Sequence, residues 1–127
     1  MAHAAFTITL KDDLILLEKR APGFEFVGSW GLPGGVVEDD ETFEVAAARE
    51  TLEETGITCK ITNFLESFEA RENTIHVYFA EYISGTIAID VEEVTDVQWF
   101  TYEQAMKLPL AFNTKQLLEA YVSAPSE

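Results

Sequence analysis

The sequence predicts an α/β fold, a mixed β-sheet covered by helices on both faces, and three observations carry that prediction. Two β-rich runs open the chain, a capped and terminated helical segment sits before its midpoint, and further strand-like runs then give way to two short helical pieces. At 127 residues the chain has the common size of one domain, read here as residues 1–122 with a short polar tail at 123–127.

The elements follow in order. Residues 4–10 and 14–19 are runs of β-formers separated by Lys11-Asp12-Asp13, which suits a hairpin. From Ala21 to Gly35 the chain is rich in glycine and proline and reads as a loop. Thr42 can cap a helix running to about Thr55, with Gly56 placed to end it in the left-handed conformation. Val45, Ala48 and Leu52 would give that helix its buried face. Strand-like runs follow near 59–70, 75–83, 86–91 and 96–101, and helical pieces near 102–107 and 113–122.

Composition narrows the function. The formal charge of −15 disfavours nucleic-acid polymers and anionic membranes, whose binding depends on Lys and Arg, but leaves open a small phosphate ligand that arrives with cations. No apolar run approaches the roughly 20 residues of a membrane span. A secretory leader is not expected, and Cys59 is the only cysteine, so no disulfide framework can be read and the cytoplasm is the expected location.

One segment resists a purely structural explanation. At 100° per residue, Glu50, Glu53 and Glu54 share an arc of about 100° on the helix. Like charges at these spacings, in a last turn that already carries the negative end of the macrodipole, destabilise a helix. A hard cation that takes oxygen ligands, such as Mg²⁺, would compensate them.

Reading outward gives Gly35, five residues, Glu41, seven residues, then Arg49-Glu50-Thr51-Leu52-Glu53-Glu54-Thr55-Gly56-Ile57. This resembles the Nudix box, GX5EX7REUXEEXGU, in every fixed letter; Thr51 departs at a position that is usually aliphatic. A helical threonine can bond a preceding carbonyl and still turn its methyl to the core. The approach Trp30-Gly31-Leu32-Pro33-Gly34 and the segment Val97-Gln98-Trp99-Phe100 also look like small MutT-type members.

The resemblance implies a Nudix-like α/β/α sandwich with a catalytic loop-helix-loop, and Mg²⁺, or Mn²⁺ in its place, held by Glu50, Glu53, Glu54 and the Gly35 carbonyl. It implies that Arg49 and Glu41 brace the loop against the helix, with Glu50 or Glu53 serving as general base. Glu93, six residues before Trp99, is the candidate for an added metal ligand or base from a later loop; a solvated loop beside Glu92 is the alternative. Arg20 ends a strand where such members place a phosphate contact, or it forms a surface ion pair. Phe24 and Phe26 could stack on a base or belong to the core, Trp30 is assigned to the core, His76 is read as structural and His3 as part of a disordered terminus. Asn113 either caps the final helix or presents its amide to a base.

The leading expectation is hydrolysis of a nucleoside triphosphate to the monophosphate and pyrophosphate. The alternative is an ADP-ribose or nucleotide-sugar pyrophosphatase. Such members often carry a proline soon after the box and an added N-terminal segment, whereas no proline occurs here between Pro33 and Pro109. A non-catalytic nucleotide-binding module ranks behind both, because the box carboxylates are all kept. Small nucleotides are the expected partners, without a nucleic-acid polymer or a membrane.

Overall fold

The computed structural model describes residues 2–23, 26–89 and 91–123. Its elements run β1 (Ala2–Lys11), β2 (Leu14–Arg20), β3 (Trp30–Gly31), β4 (Gly34–Val36), α1 (Phe43–Thr55), β5 (Thr58–Ala70), β6 (Asn73–Ser84), β7 (Val94–Phe100), α2 (Tyr102–Ala105) and α3 (Thr114–Ser123). The sheet is mixed. β1 lies parallel to β6 from Ala2–Asn73 to Leu10–Glu81, whereas its other pairings, and those of β5 with β6, are antiparallel.

Strands β1 and β2 pair only beside their turn, at Leu10–Ile15 and Lys11–Leu14, where Asp12 adopts a positive φ of 55°. Beyond that they splay. Strand β4 fills the wedge on the β1 side, at Ala4–Phe6, and β3 fills it on the β2 side, at Glu18 and Lys19. β7 covers the opposite edge of β2. The chain that leads into α1 is thereby stitched into the open end of the sheet.

Alternation along the strands divides the core. Ile8, Ile15, Leu17 and Val77 face α2 and α3, whose Ala105, Leu117 and Leu118 close that layer. On the other face Ala5 and Tyr78 receive Ala46 and Ala47 of α1, and Leu16 packs with Ile57 just beyond the helix. The result is an α/β/α sandwich. Each fully buried Leu or Ile contributes roughly 1.5–3 kcal/mol by leaving water.

Helix α1 begins and ends as its sequence suggests: the Thr42 hydroxyl accepts from the Val45 amide, and Gly56 at φ 82° closes the last turn on the Leu52 carbonyl. Its buried face differs from expectation. Val45 and Leu52 are about half exposed, and the residues turned inward are Ala46, Ala47, Thr51, Glu54 and Thr55. The reason lies in β1, whose Ala5, Thr7 and Thr9 offer a flat, partly polar surface that small residues can approach closely. Thr51 uses both of its functions there, its hydroxyl lying 2.8 Å from the Ala47 carbonyl and 3.0 Å from the Thr7 hydroxyl.

Other expectations are corrected. The loop from Ala21 to Gly35 contains β3 and the start of β4. Segment 86–91 forms no strand where it is described; it wraps the end of α1, with the Ala88 amide donating to the Thr55 carbonyl at 2.9 Å. His3 is ordered within β1, its Nδ1 2.9 Å from His76 Nε2, and both rings stack on Phe43. Burial, and then the nearby His3, lower the pKa of His76, whose other nitrogen contacts the Ser67 hydroxyl at 2.7 Å. Ser123 ends α3 rather than starting a tail, while 124–127 and Phe24 lie outside the described residues.

Candidate active site

The open end of the β1/β2 wedge faces the C-terminal half of α1. Helix geometry aims Glu50 and Glu54 inward and leaves Glu53 on the rim. Glu54 is 5% exposed and accepts a 3.0 Å hydrogen bond from the Gly34 amide, which fixes the loop to the helix. A Cβ built on Gly35 would fall on the Glu50 carboxyl, so only glycine lets this carboxylate lie against the loop backbone.

Arg49 ties the same loop to the helix. Its Nε and Nη2 donate to the two oxygens of Glu41 at 2.5 and 2.9 Å, its Nη1 reaches Glu50 at 2.8 Å and Glu53 at 3.1 Å, and Nη2 reaches the Val36 carbonyl at 3.2 Å. Those bonds raise the guanidinium pKa, the Glu41 bond above all, and the same bond holds the Glu41 carboxyl below its usual range.

The structure adds a residue that the sequence did not reveal. Glu18, on β2, is 3% exposed, with its Oε1 buried and without a donor. Its carboxyl meets that of Glu54, and Glu54 in turn meets Glu50. Two carboxylates can only accept, so such a contact becomes a hydrogen bond when one of them carries a proton. Burial raises all three acids. It lifts Glu54 to about 8, with repulsion from Glu50 and Glu93 adding to it and the Glu18 and Gly34 hydrogen bonds opposing it. Glu18 is raised well above the ordinary range, by burial and then by Glu54, and in its protonated form it donates to Glu54. Burial also raises Glu50, against the pull of Arg49. The available signal was an acid directly after the apolar run Leu14–Leu17 of β2.

Glu93 is exposed, but the Ala21 amide donates to its carbonyl at 2.9 Å, bringing its charge within reach of both Glu18 and Glu54. Arg20 lies on the same side, where it partly offsets the charge on Glu18. Phe26 is 42% exposed and lies tilted against Phe112 rather than entering the core, whereas Trp30 is 6% exposed and packs edge-on against Phe100. Asn113 is exposed and accepts the first α3 bond from the Leu117 amide through its backbone carbonyl. Among the described residues no hydrogen bond from its side chain is seen.

The residues fit a divalent cation on three counts. Glu18 leaves a buried oxygen unsatisfied, Gly35 makes room where a Cβ would block Glu50, and every candidate donor is an oxygen. Among the described residues no three acidic, histidine or cysteine side chains already close around one point. Arg49 engages Glu50 and Glu53, and a cation would have to draw both away. A surface depression of about 980 Å³ beside Leu10, Phe64, Tyr102 and Tyr121 lies at the opposite end of the sheet, away from this chemistry.

The site thus joins carboxylates of helix α1 and strand β2 at a glycine loop of an α/β/α sandwich. The chain belongs to the NUDIX domain family, whose profile matches residues 1–121. It is 35% identical over 101 residues to the NAD-capped RNA hydrolase NudC of Escherichia coli K12, covering 78% of this chain and only 38% of that protein. Among solved structures it resembles a MutT NUDIX hydrolase from Burkholderia pseudomallei at a TM-score of 0.80 and 30% identity, over 94% of this chain and 96% of that one. The NUDIX domain of Shewanella oneidensis NrtR, solved with ADP ribose, matches at 0.81 and 27%, over 97% of this chain and 87% of that one. Among the described residues no helix is long and apolar enough to cross a membrane.

Proposed function

We propose that residues 1–122 form one hydrolase domain that cleaves a phosphoanhydride in a small nucleotide, a nucleoside triphosphate giving the monophosphate and pyrophosphate. The observation that carries this reading is the linked set Glu50, Glu54 and Glu18 against the Gly34-Gly35 loop. Mg²⁺, or Mn²⁺, would be held by Glu50, Glu53, Glu54 and the Gly35 carbonyl, with Glu93 as a further ligand. When bound it would polarise phosphoryl oxygens and lower the pKa of a coordinated water. Arg49 sets the positions of Glu50 and Glu53 through its hold on Glu41. Glu50 or Glu53 would accept the proton of an attacking water, with Glu93 as the later-loop alternative. Arg20 would contact the phosphates and Phe26 the base. The chain's other acidic groups keep nucleic-acid polymers and membranes away, and its single buried thiol, Cys59, suits the cytoplasm.

A second reading is favoured by specific relatives: the NrtR domain was solved complexed with ADP ribose, and NudC is an NAD-capped RNA hydrolase; ADP ribose and NAD both carry a diphosphate between two ribose units. One assay separates the two readings. Nucleoside triphosphates, ADP-ribose, nucleotide sugars and NADH are incubated with Mg²⁺ and the products are identified by mass. Monophosphate plus pyrophosphate from triphosphates is the expected result; cleavage of only the dinucleotide and sugar compounds would transfer the assignment to the second reading.

Asn113 gives a further test. With its amide exposed and no cap bond seen, Asn113→Ala should leave the melting temperature nearly unchanged and alter the ranking of substrates by something like tenfold. A lowered melting temperature with an unchanged ranking would make Asn113 a cap worth about 1 kcal/mol.

A further inference from the structure

The groove of about 980 Å³ at the end of the sheet away from the carboxylates has side chains that hydrolysis leaves unused. Strand β5 lines it with four consecutive residues, Thr62, Asn63, Phe64 and Leu65. A regular strand turns successive side chains to opposite faces and does not present four in a row. β5 does so because its register against β6 slips twice. Ile61 and Asn63 pair with Ala80 and Phe79, and Phe64 and Glu66 pair with Tyr78 and Val77, so Thr62 and Leu65 are extra residues without a partner in β6. Bulges of this kind re-aim side chains and are built features more often than defects.

Rings and acids make up much of the remaining lining. Tyr102 of α2 and Tyr121 of α3 contribute to it, and Phe64 and Val122 stay 54% and 55% exposed. Its charged members are Asp13, in the β1–β2 turn, Glu81 of β6 and Glu103 of α2, all exposed; among the described residues no Lys, Arg or His lines it. A cation bearing apolar groups fits such a surface, because ring faces attract cations and the carboxylates supply the opposite charge. The same acids repel phosphates and anionic lipid. They also oppose a second copy of the chain, since a two-fold contact sets one patch against itself and would bring Asp13, Glu81 and Glu103 towards their own duplicates in a protein of charge −15. Drawn from β1, β5, β6, α2 and α3, the groove lies at the upper end of the roughly 300–1,000 Å³ that a small ligand fills, and it suits a chain segment with several side chains.

We propose that this groove is a docking site for a basic, apolar segment of a partner protein, one that sets Lys or Arg beside aromatic or aliphatic residues. Its place away from the carboxylate helix lets partner and substrate be held together. The surface does not depend on the nucleotide reading above.

The test applies short synthetic peptides to the whole chain, at physiological salt so that diffuse attraction to an acidic protein is screened. One set alternates lysine with tryptophan or leucine, a second keeps the lysines and puts serine at the apolar positions, and a third puts glutamate in place of lysine. In NMR titrations the first set should shift the amide resonances of Thr62 to Leu65, Glu81, Glu103 and Val122. It should bind roughly tenfold more tightly than the serine set, and the glutamate set should not bind. Phe64→Ser, at a half-exposed position, should weaken the first set by roughly tenfold with a nearly unchanged melting temperature, and so should Glu81→Gln combined with Glu103→Gln. Asp39→Asn combined with Asp40→Asn, on the exposed loop before α1, should not. Absence of binding by the first set, equal binding of the serine set, or shifts spread over the acidic surface would overturn the proposal. Concentration-dependent self-association in sedimentation that Phe64→Ser removes would overturn it as well, by giving the groove to a second copy.

Discussion

Glu54→Gln is expected to fold as the parent does and to turn over about 10²-fold or more slowly, because it removes an anionic oxygen where electrostatic contributions to catalysis are commonly that large. Both halves of the expectation follow from its setting. The carboxyl is buried, accepts from the Gly34 amide and is lifted to about 8, so in the cation-free protein it is mostly neutral at pH 7. An amide of the same shape can still accept from Gly34, so folding loses little. In the mechanism proposed above, cation binding uses the charged form, which glutamine cannot supply. Glu53→Gln should lose activity comparably for a different reason, since Glu53 is half exposed and bonded to Arg49. Steady-state kinetics at saturating Mg²⁺, read beside melting temperatures, checks both. Near wild-type turnover in the two variants would remove this helix from the mechanism.

The family and the carboxylate helix were legible in the sequence because their constraints are local. Thr42, Gly56 and the spacing from Gly35 to Glu54 each act within a turn or two of the chain. The orientation of α1 was not legible. Val45 and Leu52 are larger apolar residues than Ala46 and Ala47, so a hydrophobicity argument turns them inward; the sheet decides otherwise, because Ala5, Thr7 and Thr9 on β1 fit small residues and the close approach brings Glu54 to the Gly34 amide. Segment 86–91 alternates like a strand, but its Ala88 amide is taken by the end of α1. Glu18 was invisible for a related reason. It is one residue in an unremarkable stretch, and its meaning comes from a partner, Glu54, far away along the chain.

Cation dependence should be near total: chelation with EDTA should abolish turnover, and Mg²⁺ or Mn²⁺ should restore it, since the oxygen-only donors offer zinc no cysteine or histidine. The buried acids add a pH dependence with a definite sign. Glu54 is raised from 4.5 to about 8, and Glu18 and Glu50 are raised as well, so the folded, cation-free protein resists ionisation that the unfolded chain accepts. The associated stability is fully present below about pH 4.5 and is lost as pH rises towards 8. A tenfold difference in proton affinity between the folded and unfolded chain is worth about 1.4 kcal/mol, so the decline should amount to a few kcal/mol. A cation binds the ionised acids and competes with their protons. The rise in melting temperature produced by Mg²⁺ should therefore be small near pH 5.5 and large near pH 8, and the cation-free protein should be less stable at the higher pH. Glu18→Gln, which removes one of these buried, raised acids, should flatten the decline of the cation-free protein. Calorimetric melting across that range, with and without Mg²⁺, reads both effects. A Mg²⁺-induced rise independent of pH, or full activity in EDTA, would dissociate these carboxylates from cation binding.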